Sequence, residues 1–144
     1  MSEDLVAKAT TAVDAPRDAV WKALVSPDAI REYMFGTTVV TDWRRGSPIS
    51  WKGEWKGKPY EDKGVILKIE PERVLEYSHF SPLSGQPDVP ENYHVVRITL
   101  SEANGRTDVA LTQNRNATEE ERQHSEANWK QMLEGLKKNA EAHR

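Results

Sequence analysis

The chain contains no cysteine among its 144 residues, and this absence closes several branches of chemistry. Without a thiol there is no disulfide, no cysteine nucleophile and no cysteine-ligated zinc or iron–sulfur site. The four histidines, His79, His94, His124 and His143, form no close pair of the kind that a metal site shows on one strand or helix. No glycine-rich phosphate loop follows a strand. We therefore expect neither a metal nor another cofactor.

Long apolar runs and an excess of positive charge are missing as well. No stretch approaches the length needed to cross a bilayer, and the N-terminus lacks the pattern of a signal peptide, so the expected location is the cytoplasm. The formal net charge is -3 and the isoelectric point is near 5.8. Nucleic-acid binding depends on clustered Lys and Arg, so we do not expect a nucleic-acid partner.

The pattern along the chain predicts one α+β domain over residues 1–144. A strand over 5–13 precedes two short helices, which begin near Pro16 and at Ser26-Pro27-Asp28. Short runs rich in Val, Ile, Thr, Tyr and Trp then alternate with turn residues as far as Arg115, which predicts an antiparallel meander. Asn104-Gly105 is a hairpin signal. Thr118 begins a long C-terminal helix with acidic residues in its first turn.

Alternation along the strands predicts which side chains face the helix, because successive residues of a strand point to opposite faces. The predicted inner set is Ile49, Trp51 and Trp55; Val65, Leu67 and Ile69; Leu75, Tyr77 and His79; Val96, Ile98 and Leu100; Val109, Leu111 and Gln113. Tyr77, His79 and Gln113 add polar groups to this otherwise apolar surface, as in ligand pockets. The alternative is that they are core residues with satisfied polar tips. Trp51 and Trp129 fit the core and can also line a cavity.

Several segments, in this order and spacing, resemble the START-related (SRPBCC) superfamily, and within it the homologues of the heat-shock-protein ATPase activator. The matching segments are Val13-Asp14-Ala15-Pro16, Val20-Trp21-Lys22-Ala23-Leu24, Gly46-Ser47-Pro48-Ile49-Ser50-Trp51, Gly64-Val65-Ile66, Leu75-Glu76-Tyr77-Ser78-His79-Phe80, Pro90-Glu91-Asn92-Tyr93-His94 and Asn128-Trp129 with Leu133 to Lys137. The resemblance implies a helix-grip fold, in which a curved antiparallel sheet wraps around the long C-terminal helix. The eukaryotic activator carries an additional N-terminal chaperone-binding domain without a counterpart here, which favours a stand-alone domain of bacterial type.

The resemblance also implies that a lipophilic or aromatic small molecule binds between the sheet and the terminal helix. The predicted ligand-binding residues are Trp51, Tyr77, His79, Val96, Ile98, Gln113, Trp129 and Leu133. A second hypothesis is a pocket enzyme of cyclase or hydrolase type in which His79 and Tyr77 move protons. A third is an interaction module for a protein client or a chaperone. Binding is preferred to catalysis, and the loop Ser81 to Pro90 is interpreted as either a lid or a connection.

Overall fold

The computed structural model describes residues 5–34, 36–55, 57–81, 85–116 and 118–143. Seven strands form one antiparallel sheet in the order β1-β7-β6-β5-β4-β3-β2. The strands are β1 (Leu5–Val13), β2 (Thr38–Thr41), β3 (Pro48–Trp55), β4 (Lys58–Glu70), β5 (Val74–His79), β6 (His94–Ala103) and β7 (Arg106–Asn116). The helices are α1 (Arg17–Val25), α2 (Pro27–Tyr33) and α3 (Glu119–Ala142), and a short 3-10 turn spans Pro90–Asn92. This is the predicted helix-grip fold.

Local signals in the sequence explain where several elements begin and end. The Ser26 hydroxyl accepts a hydrogen bond from the Ala29 N–H at 3.3 Å and caps α2. The Thr118 hydroxyl accepts one from the Glu121 N–H at 3.0 Å and caps α3. Asn104 and Gly105 have φ angles of 56° and 76°, the left-handed values that a two-residue hairpin between β6 and β7 requires.

Helix α3 crosses the inner face of the sheet and also protects the edge strand β1. Met132, Leu133, Leu136 and Ala140 form its buried stripe, as the spacing predicts. Two glutamates of α3 accept hydrogen bonds from outward-facing N–H groups of the β1 segment, those of Lys8 and Asp14, at 3.0 and 2.8 Å. These bonds occupy donors that another strand could otherwise pair with.

The core confirms most of the predicted inner set. Ile49, Trp51, Leu75, Tyr77, Val96, Ile98, Leu100, Val109, Leu111 and Gln113 are buried, and Ile69 packs against the core. The side chain of Trp55 lies outside the described residues.

The prediction for β4 is wrong at two positions. Val65 and Leu67 are 39% and 37% exposed, whereas Ile66 between them is fully buried. The cause is a bulge at Leu67: Ile66 pairs with Tyr77 and Lys68 pairs with Glu76, so β4 uses one residue more than β5 over this interval. A bulge reverses the alternation, and Ile69 therefore faces inward while Val65 does not.

Candidate functional site

A small recess lies on the inner face of the sheet, next to the N-terminal half of α3. Its volume is about 60 Å³, and it brings together four of the predicted residues: Trp51, Tyr77, His79 and Trp129. The Trp51 and Tyr77 rings lie 5.0 Å apart between centroids, and the Trp51 and His79 rings lie 5.1 Å apart, edge to face. Such spacings are typical of favourable aromatic contacts, so the rings form a rigid apolar wall.

The recess adjoins a larger cleft of about 350 Å³ between β4, β7, the end of α2 and α3. Five residues line both spaces: Met34, Thr37, Tyr60, Asp62 and Trp129. The fifth predicted polar or aromatic residue, Gln113, lines the cleft and accepts a hydrogen bond from the Trp129 indole N–H. Recess and cleft are therefore neighbouring parts of one concave region.

Two other grooves are larger but have less of the character of a ligand site. A groove of about 420 Å³ lies between α1, α2 and the end of α3, and one of about 510 Å³ lies over β1, β6 and β7. Neither has an aromatic side chain other than His143 among its described lining residues. The aromatic wall with converging polar groups distinguishes the recess, and this combination is what small-molecule sites show.

Asp62 is a site residue that the sequence did not predict. Its Oδ2 lies 2.9 Å from His79 Nε2, and the two side chains are 18% and 24% exposed. The carboxylate supplies a partner that orients the imidazole ring, and no such partner was identified from the sequence. Asp62 and Tyr60 were overlooked because the bulge at Leu67 was not recognised: counted back from Ile66, the inner face of β4 carries Gly64, Asp62 and Tyr60.

A glycine on the neighbouring strand leaves room for the Tyr60 ring to lie against the sheet. Gly53 pairs with Tyr60, and a Cβ at Gly53 would lie 2.5 Å from the Tyr60 hydroxyl oxygen. The Tyr60 hydroxyl lies 2.7 Å from the Thr37 hydroxyl, which itself donates to the Met34 carbonyl at 2.7 Å. Tyr60 thus links β4 to the segment that follows α2.

Two tyrosines of this region, Tyr77 in the recess and Tyr33 in the cleft, stay protonated at neutral pH. Burial raises the pKa of the Tyr77 hydroxyl, and burial together with neighbouring Tyr77 raises the pKa of Tyr33. The Tyr33 hydroxyl donates a hydrogen bond to the Ala23 carbonyl at 3.1 Å. Tyr77 therefore offers a neutral hydroxyl rather than a phenolate.

With this geometry established, comparison with known proteins identifies the family. The family model described as "Activator of Hsp90 ATPase homolog 1-like protein" matches residues 14–141. The chain belongs to this family. No curated protein matched the sequence.

Solved structures of other proteins have the same fold. The solution structure of ChR145 from Cytophaga hutchinsonii has 59% sequence identity and a TM-score of 0.86, over 99% of this chain and 98% of that chain. The Aha1 dimer from Colwellia psychrerythraea has 18% identity and a TM-score of 0.72, over 94% and 96%. Ara h 8.0201 has 11% identity and a TM-score of 0.76, over 96% and 98%, and like the Aha1 dimer it shows similarity of fold alone.

In this member of the Aha1-like family, the other three predicted ligand-binding residues lie deeper than the recess. Val96 and Leu133 are fully buried and Ile98 is 2% exposed. Ile98 lines a narrow void of about 30 Å³ with Trp51 and Tyr77. Their contact with a ligand stays a prediction.

The loop Ser81 to Pro90 includes residues 82–84, which lie outside the described residues. Beyond them, Asp88 forms an ion pair with Lys63 of β4 and accepts a hydrogen bond from the Tyr93 hydroxyl at 2.6 Å. Both partners hold the pKa of the Asp88 carboxyl below its usual value. Tyr93 also stacks on Phe80 at 5.1 Å. These contacts link Asp88 to β4 and to Tyr93, and the interpretation of the loop as a lid or a connection stays a prediction.

Over the described parts of the chain, no group of three or more His, Asp and Glu side chains is placed to hold a metal ion. None of the described helices combines the length and the apolar character needed to cross a membrane.

Proposed function

We propose that this Aha1-like protein binds a small, largely apolar molecule, with an aromatic or similarly flat body, in the recess and cleft between the sheet and α3. The observation that carries the proposal is the wall formed by Trp51, Tyr77 and His79 beside a cleft of about 350 Å³. Ligand sites are of this kind: concave, mainly apolar, and supplied with a few converging polar groups.

Each predicted residue has a place in the proposal. Trp51, Tyr77, His79 and Trp129 would contact the ligand, because all four line the recess. Gln113 would act by holding the Trp129 indole, to which it is hydrogen-bonded. The predicted set is completed by core residues that would support the wall from behind: Val96, Ile98 and Leu133.

The first test is native mass spectrometry of the purified protein, followed by organic extraction and identification of any molecule released on denaturation. We expect a stoichiometric apolar passenger, or uptake of one after incubation with aromatic compounds. A protein that stays at its bare mass under both conditions would contradict the proposal.

A variant in which a large side chain fills the cleft tests where the co-purified molecule, the passenger, binds. Asn128 is exposed on α3 and lines the cleft, so Asn128→Trp should fill the cleft with little effect on the core. Gln131 is exposed on the same helix and is not among the residues that line the cleft, so Gln131→Trp is the matched control. Loss of the passenger in the first variant and its retention in the second would support the assignment. Retention in both would place the ligand elsewhere.

A second candidate function is enzymatic, and the Asp62–His79 pair favours it. A histidine oriented by a carboxylate beside an apolar recess is an arrangement suited to a general acid or base. If the extracted passenger is turned over, His79→Gln should abolish turnover, and this loss should greatly exceed any loss of binding. Unchanged turnover would remove His79 from any catalytic role.

The hypothesis of a protein partner, such as a client or a chaperone, rests on the family description. It predicts that the affinity for that partner survives the Asn128→Trp substitution. A cytoplasmic location stays a prediction.

A further inference from the structure

Four of the side-chain donors that line the recess are already paired: those of Thr37, Tyr60, His79 and Trp129. The Thr37 hydroxyl has one hydrogen and donates it to the Met34 carbonyl, so the Tyr60 hydroxyl must be the donor in the contact between Thr37 and Tyr60. Among the described residues no group donates to the Tyr60 oxygen, so its lone pairs are available as acceptors. The Trp129 indole N–H, which donates to Gln113, is likewise occupied.

The same count applies to the Asp62–His79 pair. An ionised carboxylate can only accept, so His79 Nε2 carries the hydrogen that it shares with Asp62 Oδ2. The other oxygen, Asp62 Oδ1, is shielded from solvent and has no hydrogen-bond partner among the described residues. A buried carboxylate oxygen without a donor is costly, so a donor beyond the described residues is needed to complete the site, and a bound ligand can supply it.

Tyr60 and Asp62 lie two residues apart on the inner face of β4, and both line the recess and the cleft. Their unused capacity is for accepting hydrogen bonds. The Tyr77 hydroxyl can donate or accept and does not change this balance.

We infer that the site selects ligands that carry a hydrogen-bond donor, an O–H or N–H group, on an aromatic or similarly flat apolar body, with Asp62 Oδ1 and the Tyr60 hydroxyl oxygen as the acceptors. The inference rests on the proposed function and adds the chemistry of the ligand's polar group. Compounds that offer only an acceptor, such as ethers and esters, leave Asp62 Oδ1 unsatisfied and bind more weakly.

Four probes that share the naphthalene ring and differ in their polar group test the inference: 2-naphthol, 2-naphthylamine, 2-methoxynaphthalene and naphthalene. Binding to the wild-type protein is measured by titration calorimetry, and NMR shifts of the Trp129 indole and the His79 ring locate each probe. We expect 2-naphthol or 2-naphthylamine to bind about tenfold or more tightly than the methyl ether, the scale of a hydrogen bond to a charged group. The first two probes distinguish an O–H preference from an N–H preference.

Two variants assign the preference to its acceptors. Asp62→Asn replaces the carboxylate with an amide whose NH₂ can take the place of Oδ1, so the advantage of the donor probes should fall to about twofold or less. Asp108→Asn makes the same change on the exposed outer face of β7 and should keep the full advantage. If Asp62→Asn fails to fold, Tyr60→Phe provides the second reading, with a smaller expected loss.

The outcomes separate the two proposals. Equal binding of all four probes in the recess would overturn the donor preference and leave the proposed function standing. A donor preference that persists in Asp62→Asn and in Tyr60→Phe would overturn the assignment to these acceptors. Failure of every probe to bind would contradict the proposed function and, with it, the inference.

Discussion

Trp129 and Leu133 stand one helical turn apart on α3, and the structure predicts that their loss has different consequences. Trp129 is partly buried, lines the recess and the cleft, and donates its indole hydrogen to Gln113. Leu133 is fully buried in the core. Trp129→Ala should therefore weaken ligand binding strongly, whereas Leu133→Ala should act mainly on stability.

The magnitudes follow from burial. Truncating a fully buried leucine removes apolar contact and leaves a cavity, so Leu133→Ala should lower the free energy of unfolding by about 3 kcal/mol, within the usual range of roughly 2–5. Removal of a fully buried tryptophan costs about 3–5 kcal/mol, and the partial exposure of Trp129 brings the expected loss to about 3 kcal/mol or less. The two variants should thus be destabilised to a similar degree, which makes Leu133→Ala a matched control for binding.

The free energy of unfolding is measured by urea titration followed by far-ultraviolet circular dichroism, because tryptophan fluorescence would change with the substitution itself. Affinity for 2-naphthol is then measured on both variants under conditions where each is fully folded. We expect at least a tenfold loss of affinity for Trp129→Ala and less than a threefold loss for Leu133→Ala, on the scale where tenfold is about 1.4 kcal/mol. Equal losses would refute the separation of core from cleft and would make Leu133 a ligand contact, as the family resemblance implies.

Three further predictions concern the scaffold. Leu67→Lys should change stability by less than about 0.5 kcal/mol because this side chain faces outward, whereas Ile66→Lys should prevent folding or cost more than about 4 kcal/mol; urea unfolding of both decides whether the bulge is placed correctly. Thr118→Ala should cost about 1 kcal/mol through loss of the α3 cap, with Thr118→Ser as the rescue, and an unchanged midpoint would argue against the cap. Gly64→Ala would place a Cβ 1.7 Å from the Ser78 carbonyl oxygen, so we expect little folded protein in a circular dichroism spectrum; a native spectrum would mean that β4 and β5 separate easily.

Local signals in the sequence were sufficient for much of the fold. Asn104 and Gly105 accept positive φ, so the hairpin between β6 and β7 was predictable from two residues. Thr118 and the apolar stripe that includes Leu133 and Leu136 predicted where α3 begins and which side of it is buried. These features depend on neighbours in the chain and need no knowledge of distant contacts.

The site was predictable only in part, because strand pairing depends on contacts between residues that are distant in the sequence. Alternation correctly placed Trp51, Tyr77 and His79 on the inner face, since β3 and β5 are regular there. In β4 the apolar run Val65-Ile66-Leu67 is compatible with either alternation, and only the pairing of β4 with β5 shows that Leu67 bulges. Choosing the wrong alternation removed Asp62 from the predicted site.

The sequence by itself determined the order of the elements, their caps and turns, the family, and the apolar character of the inner face. The tertiary structure decided which carboxylate meets His79, which hydroxyl Tyr60 bonds to, and how much space remains beside Trp129. The physical reason is the range of the interactions: helix caps and tight turns form between residues a few positions apart, whereas Asp62 meets His79 only after β4 and β5 have paired across a bulge. The polar groups that would choose a ligand are set by that pairing.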